Sequence, residues 1–157
     1  MSASTARPTR ILLVELDDAI RAALLAVVGS WAVVEPHDGF ESARARLSSS
    51  TFDLLVTNLR LGEYNGLHLV ILVRDAAVKT SAIVYADERD LRLASDVQRA
   101  GAFFELAHRL PISLPGYVGS ALPSRDRRDP LKFDRRKSPR GGRRAWDEHL
   151  RDLVGSI

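Results

Sequence analysis

Short apolar runs of strand length alternate with amphipathic stretches of helix length from residue 11 to residue 106, and this alternation constrains the fold more than any other feature of the chain. It is the pattern of βα units wound around a parallel sheet. ILLVE (11–15), branched and almost wholly apolar, reads as a first strand covered on both faces. Asp17 and Asp18 stand where a helix cap is wanted, ahead of Ile20, Leu24, Val27 and Val28 at helical spacing. WAVVE (31–35) reads as the second strand, and Asp38 to Glu41 has capping-box spacing, opening a helix to about Leu47 with Phe40, Ala43 and Leu47 inward. FDLLVTN (52–58) is the expected central strand, and the loop LRLGEYNG leads into a helix carrying Leu67, Val70, Ile71 and Val73. SAIVYA (81–86) is the fourth strand; a charged helix from Glu88 to about Arg99 ends at Gly101, and AFFEL (102–106) is the fifth. Pro111, Pro115 and Gly116 make ISLPGYVGSAL a poor helix where the pattern calls for one.

At 157 residues the chain has the size of one domain, and we divide it into a disordered N-terminus (1–9), an α/β domain (10–122) and an Arg-rich linker with a short terminal helix (123–157). Cysteine is absent, which excludes disulfides, thiolate zinc sites and cysteine nucleophiles. The first apolar stretch is interrupted at Glu15, too early for a signal peptide. Leu69 to Val73 falls far short of the roughly 20 residues that cross a bilayer, so the expected setting is the cytoplasm, with no membrane partner.

The net charge of +3 conceals an asymmetry: residues 1–121 hold 12 Lys/Arg against 14 Asp/Glu, a balance of −2, and residues 122–157 hold 11 against 6, a balance of +5. Within the second part, Arg135, Arg136, Lys137, Arg140, Arg143 and Arg144 offer guanidinium forks and an ammonium to phosphates, interrupted by Pro139 and Gly141-Gly142. Such a run is either a solvated linker or a site for nucleic acid, a cyclic dinucleotide such as cyclic di-GMP, or an acidic protein surface. RKSPR carries an Arg-x-x-x-Arg spacing like that of PilZ cyclic di-GMP sites, without the barrel motif that should follow, and PRGGR is a broken AT-hook core. Beyond it, Trp146, Leu150, Leu153 and Val154 share one face of the expected terminal helix, suited to docking on the domain or a partner.

A doubly wound sheet gathers ligands at the carboxyl ends of its strands, where Glu15, Asn58, Tyr85 and the residues after Leu106 fall. No glycine-rich fingerprint follows the first strand, which argues against a Rossmann dinucleotide site and says nothing of a flavin. His37, His68, His108 and His149 are dispersed and show no ligand spacing, so no metal site is expected.

ILLVELDDAIRAAL, FDLLVTNLRLGEYNGLHLV and RAGAFFEL together resemble the CheY-like receiver domains of bacterial response regulators over about residues 10–122. The resemblance implies a five-stranded, flavodoxin-like parallel sheet of order 2-1-3-4-5. It also implies an acidic pair holding Mg²⁺, an Asp accepting a phosphoryl group, and a Ser/Thr and a Lys binding the phosphoryl oxygens. Transferred by position, the acidic pair falls on Glu15 and Leu16, the acceptor on Asn58, the Ser/Thr on Tyr85 and the Lys on His108. Four of these five depart from the pattern. Asp17 could supply a carboxylate beside Glu15, although capping preference gives it another task. A carboxamide is a poor nucleophile and brings no charge to a divalent cation, so Asn58 reads as a polar residue closing a buried strand end. Tyr85 reads as a core or surface aromatic, or as a fixed contact for a partner, and His108 as a loop histidine.

The expected function is that of a degenerate receiver in two-component signalling: not an enzyme, without a cofactor, acting without phosphorylation through a partner protein or a second copy on the face of its fourth helix, fifth strand and fifth helix. Alternatives are nucleic-acid or cyclic di-GMP binding through the tail, and a phosphorelay receiver with a non-standard acceptor.

Overall fold

A computed structural model describes residues 7–76 and 79–119. Along the chain it forms β1 (Thr9–Val14), α1 (Asp18–Val28), β2 (Ala32–His37), α2 (Phe40–Ser49), β3 (Leu54–Asn58), β4 (Arg60–Leu61), β5 (Tyr64–Asn65), α3 (Leu67–Asp75), β6 (Ser81–Ala86), α4 (Leu91–Arg99), β7 (Phe103–Leu106) and α5 (Leu110–Gly119). Five strands pair in the order β2-β1-β3-β6-β7, every pair parallel. Counted among the sheet strands alone this is 2-1-3-4-5, the flavodoxin-like order expected. Residues 120–157, with the expected terminal helix and the six cations from Arg135 to Arg144, lie outside the described residues.

Side-chain alternation along the parallel strands divides the core in two. Ile11, Leu13, Leu54, Val56, Ile83 and Phe103 meet Leu24 and Val28 of α1 and Leu110 and Leu114 of α5. Leu12, Val14, Leu55 and Val84 face the other way, onto Phe40 and Ala43 of α2, Leu69, Val70 and Val73 of α3, and Val97 of α4. Leu12, Leu55, Ile83 and Val84 have no exposed surface at all. Each fully buried aliphatic side chain contributes about 1.5–3 kcal/mol, so these two layers are the main source of stability.

Local chemistry sets the boundaries. Asp17 caps α1 by accepting from the N–H groups of Ala19 and Ile20 at 2.9 and 3.0 Å, so the cap reading of this residue holds. Gly101, at φ +92°, takes the left-handed conformation that ends α4. Gly66 is required for room: a Cβ there would stand 2.3 Å from the Asn58 carbonyl oxygen and 2.9 Å from Thr57 Oγ1.

Several expectations are corrected. The capping box at Asp38 does not form: Gly39 is the cap and α2 starts at Phe40, which moves Glu41 out of the position where it would reach back. Phe40 stacks on the Tyr64 ring with centroids 4.4 Å apart, a contact that fixes this register. β2 starts after Trp31 and runs through Pro36 to His37, tolerable because Pro36 lies on an edge strand. α4 begins at Leu91, not Glu88, because Asp90 caps it. Of the apolar residues read at helical spacing in α1 and carried by α3, Ile20 and Ile71 are 38% and 39% exposed, while Leu69 is buried in the core. The loop after β3 folds into the antiparallel β4–β5 hairpin, turning at Gly62 with φ +67°. α5 does form: Pro111 lies in its first turn, where a missing N–H costs little, and Leu110 and Leu114 bury against α1 despite the interior Pro115.

Candidate functional site

The alternation that puts Ile11 and Leu13, Leu54 and Val56, and Ile83 on the α1/α5 side puts Glu15, Asn58 and Tyr85 on it too, at the carboxyl ends of three adjacent strands. Asn58 pairs directly with Tyr85 in the β3–β6 register, and Glu15 follows the last β1–β3 pair, Val14 with Thr57. Glu15 is 2% exposed and Tyr85 is wholly buried.

The three side chains are joined. Glu15 Oε2 accepts from Asn58 Nδ2 at 2.9 Å and from the Tyr85 hydroxyl at 2.5 Å. Glu15 Oε1 accepts from the Asp17 N–H at 3.0 Å. Asn58 Oδ1 in turn accepts from the Arg60 N–H at 3.0 Å, tying the strand end to the β4–β5 hairpin. The Arg21 guanidinium donates to the Glu15 carbonyl oxygen at 2.7 Å and also reaches Asp18. A buried carboxylate is costly unless its oxygens are met, and here three donors meet them. Burial, then the hydrogen bond to Glu15, raise the Tyr85 phenol far above its ordinary range and keep it a proton donor.

Of the expected pocket residues, the structure brings together Glu15, Asn58 and Tyr85, with Asp17 contributing its backbone N–H. Leu16 turns outward, 44% exposed, and His108 is exposed in the connection between β7 and α5, outside this network. Tyr85 is no surface contact for a partner: its position in an inward-facing register buries it. The Tyr85–Glu15 bond has no local signature in the sequence, because its partners are 70 residues apart.

Receiver-type folds imply Mg²⁺ at this place, and the residues present do not fit it. Both Glu15 oxygens are taken by donors, the Asn58 amide aims its N–H at that carboxylate, and Asp17 Oδ1 is spent on the α1 cap. Mg²⁺ needs hard oxygen ligands in near-octahedral array, and no group of three or more His, Cys, Asp or Glu among the described residues could hold a metal.

No protein-family profile matches the chain, and no curated protein matches it in sequence. Solved structures do resemble it. A CheY-like response regulator receiver domain from Methanospirillum hungatei JF-1 superposes with TM-score 0.63 at 18% identity, over 72% of this chain and 95% of that one. The receiver domain of a LuxO-type repressor protein from Vibrio parahaemolyticus gives 0.63 at 22%, over 73% and 92%. The chemotaxis regulator CheY4 of Vibrio cholerae gives 0.61 at 16%, over 71% and 99%. The fold is therefore that of the CheY-like receiver domains. Among the described residues no helix is long and apolar enough to cross a membrane.

Proposed function

We propose that this chain is a receiver-type module of two-component signalling that acts through protein–protein contact and takes up no phosphoryl group. The observation that carries this reading is Asn58: at the acceptor position stands a carboxamide, its nitrogen donating to Glu15 and its oxygen accepting from Arg60. Neither amide atom is a competent nucleophile toward phosphorus. The reading makes the chain a cytoplasmic binding module and not an enzyme. Its partner surface is the α4–β7–α5 face, where Leu91 and Ile112 are 48% and 84% exposed. Incubation with acetyl phosphate or a histidine kinase and Mg²⁺ tests it: intact-mass spectra should show no phosphoryl adduct, and a labile adduct within residues 53–66 would overturn it.

The charge asymmetry favours a second role in the same chain, retention of a polyanion by Arg135, Arg136, Lys137, Arg140, Arg143 and Arg144. If about four of these cations neutralise phosphates on duplex DNA, affinity falls roughly 100-fold between 50 and 200 mM salt. Cyclic di-GMP would instead saturate at a fixed stoichiometry with a weak salt slope. No binding of DNA, RNA or cyclic di-GMP at low salt would reduce the tail to a solvated linker.

A further inference from the structure

The two edges of the sheet are finished differently. Ala107 N donates to the Ala86 carbonyl at 2.9 Å, so by alternation Phe103 and Glu105 turn their backbone groups to β6, and Phe104 and Leu106 turn theirs outward. The outward N–H of Leu106 is taken by Glu105 Oε1 at 3.0 Å, and its carbonyl by Arg109 N at 2.9 Å. That edge is closed at its end by its own chain, one of the usual defences against strand addition.

On the β2 edge, Glu15 N donates to the His37 carbonyl at 3.0 Å, so Val33, Glu35 and His37 face β1, while Ala32, Val34 and Pro36 face the open side. Pro36 has no N–H to offer. Ala32 and Val34 each turn one donor and one acceptor to this side, met by no group among the described residues and spaced as a strand presents them to a neighbour. Around them Trp31 is 62% and Val33 53% exposed, an apolar stripe beside open backbone.

We propose that this edge receives a second copy of the chain, antiparallel, across a two-fold axis through Val33. In that register Ala32 of each copy lies opposite Val34 of the other, and each such pair exchanges two N–H···O=C bonds, so every outward donor of the two residues meets an outward acceptor. The same segment is thus complementary to itself, as an isologous interface requires. Val33 faces Val33 of the partner subunit in a close, non-hydrogen-bonded pair, and Trp31 extends the stripe on the same face. Pro36 sets the register: moving the axis to Val34 would place it opposite Ala32 and leave the Ala32 carbonyl of each copy facing no donor. This surface is distinct from the α4–β7–α5 face, so the failure of either assignment leaves the other standing.

The absence of cysteine makes the test direct. In the full-length chain, V33C should form an intermolecular disulfide under mild oxidation, since Cα atoms about 4.5 Å apart lie within the span a disulfide bridges. L72C and E63C, on exposed positions outside both surfaces, should cross-link at least tenfold more slowly. V33C/V34P, which removes an outward donor, should lose the cross-link. V33K, which sets two like charges on the axis, should shift the unmodified chain's sedimentation from dimer to monomer at unchanged thermal stability, and it decides the question if the proline variant does not fold. A chain that sediments as a monomer at about 100 μM overturns the proposal. So does equal cross-linking of V33C and the two controls. A monomer whose Ala32 and Val34 amides are protected from exchange would assign the edge to the chain's own residues 120–157, and likewise overturn it.

Discussion

The Tyr85 hydroxyl lies 2.5 Å from Glu15 Oε2, an oxygen that also accepts from Asn58, so one carboxylate binds together the ends of the three central strands. Y85F removes one of its donors without opening a large cavity. The loss should be about 1–3 kcal/mol, the cost of leaving a buried acceptor under-satisfied, read as a lower urea midpoint at an unchanged m-value.

The same burial raises the phenol's pKa, which fixes the sign of its pH dependence. A group whose folded pKa lies above its unfolded value stabilises the fold fully below the unfolded value and loses that contribution as pH rises past it. The ordinary value is 10.0, so stability should decline above pH 10, and absorbance at 295 nm should show the Tyr85 phenolate appearing only with unfolding. In Y85F this decline should be shallower.

N58D replaces an N–H donor 2.9 Å from Glu15 with a second carboxylate. Two carboxyls at that distance cannot both ionise cheaply, so one takes up a proton at raised pKa. The variant should be less stable than the parent at pH 7 by about 1–3 kcal/mol, and should recover relative to it as pH falls toward 5. It should still take up little phosphoryl group, because Leu16 supplies no ligand and His108 is no lysine. Mg²⁺-dependent phosphorylation of N58D would show that Asp17 leaves its cap to complete a site.

Away from this row, Glu35 on β2 accepts from Arg46 of α2 and from His37. Its carboxyl is held below the ordinary 4.5, first by the Arg46 bond. A depressed carboxylate pKa gives stability that is present above 4.5 and fades as pH falls through the folded value. NMR titration should place Glu35 below 4.5, and R46M should move it back toward that value; Glu35 is partly exposed, so the effect on unfolding should be small.

G66A tests the packing behind Asn58. The added methyl would meet the Asn58 carbonyl at 2.3 Å, a backbone atom with little freedom, although the local φ of −58° suits alanine. The expected cost is about 1–3 kcal/mol, with displaced Asn58 and Tyr85 resonances in the NMR spectrum.

The strands and the inward faces of most helices were legible because buried parallel strands leave near-continuous apolar runs. Asp17 was legible as a cap because capping is a contact between near neighbours. Strand order was not written in any run and came only through resemblance. The Asp38 capping box and the Glu88 start failed because competing local partners, the Phe40–Tyr64 stack and the Asp90 cap, decide which turn closes first. α5 was unreadable for a related reason: prolines speak against a helix locally, while the burial of Leu110 and Leu114 against α1 is tertiary. Asn58 was legible as a departure from the resemblance, but the bonds around it join residues at the ends of three strands, which no spacing reveals.

The shared oxygen of Glu15 also bears on how this chain can change over generations. Asn58 and Tyr85 donate to the same oxygen, so removing either donor first leaves a buried carboxylate under-satisfied. Placing an aspartate at position 58 sets charge against charge while a tyrosine ring still fills the neighbouring position, and trimming that ring first strips the carboxylate of a donor. A lineage carrying this trio meets a loss in the first step of changing either residue, so the two positions hold each other in place.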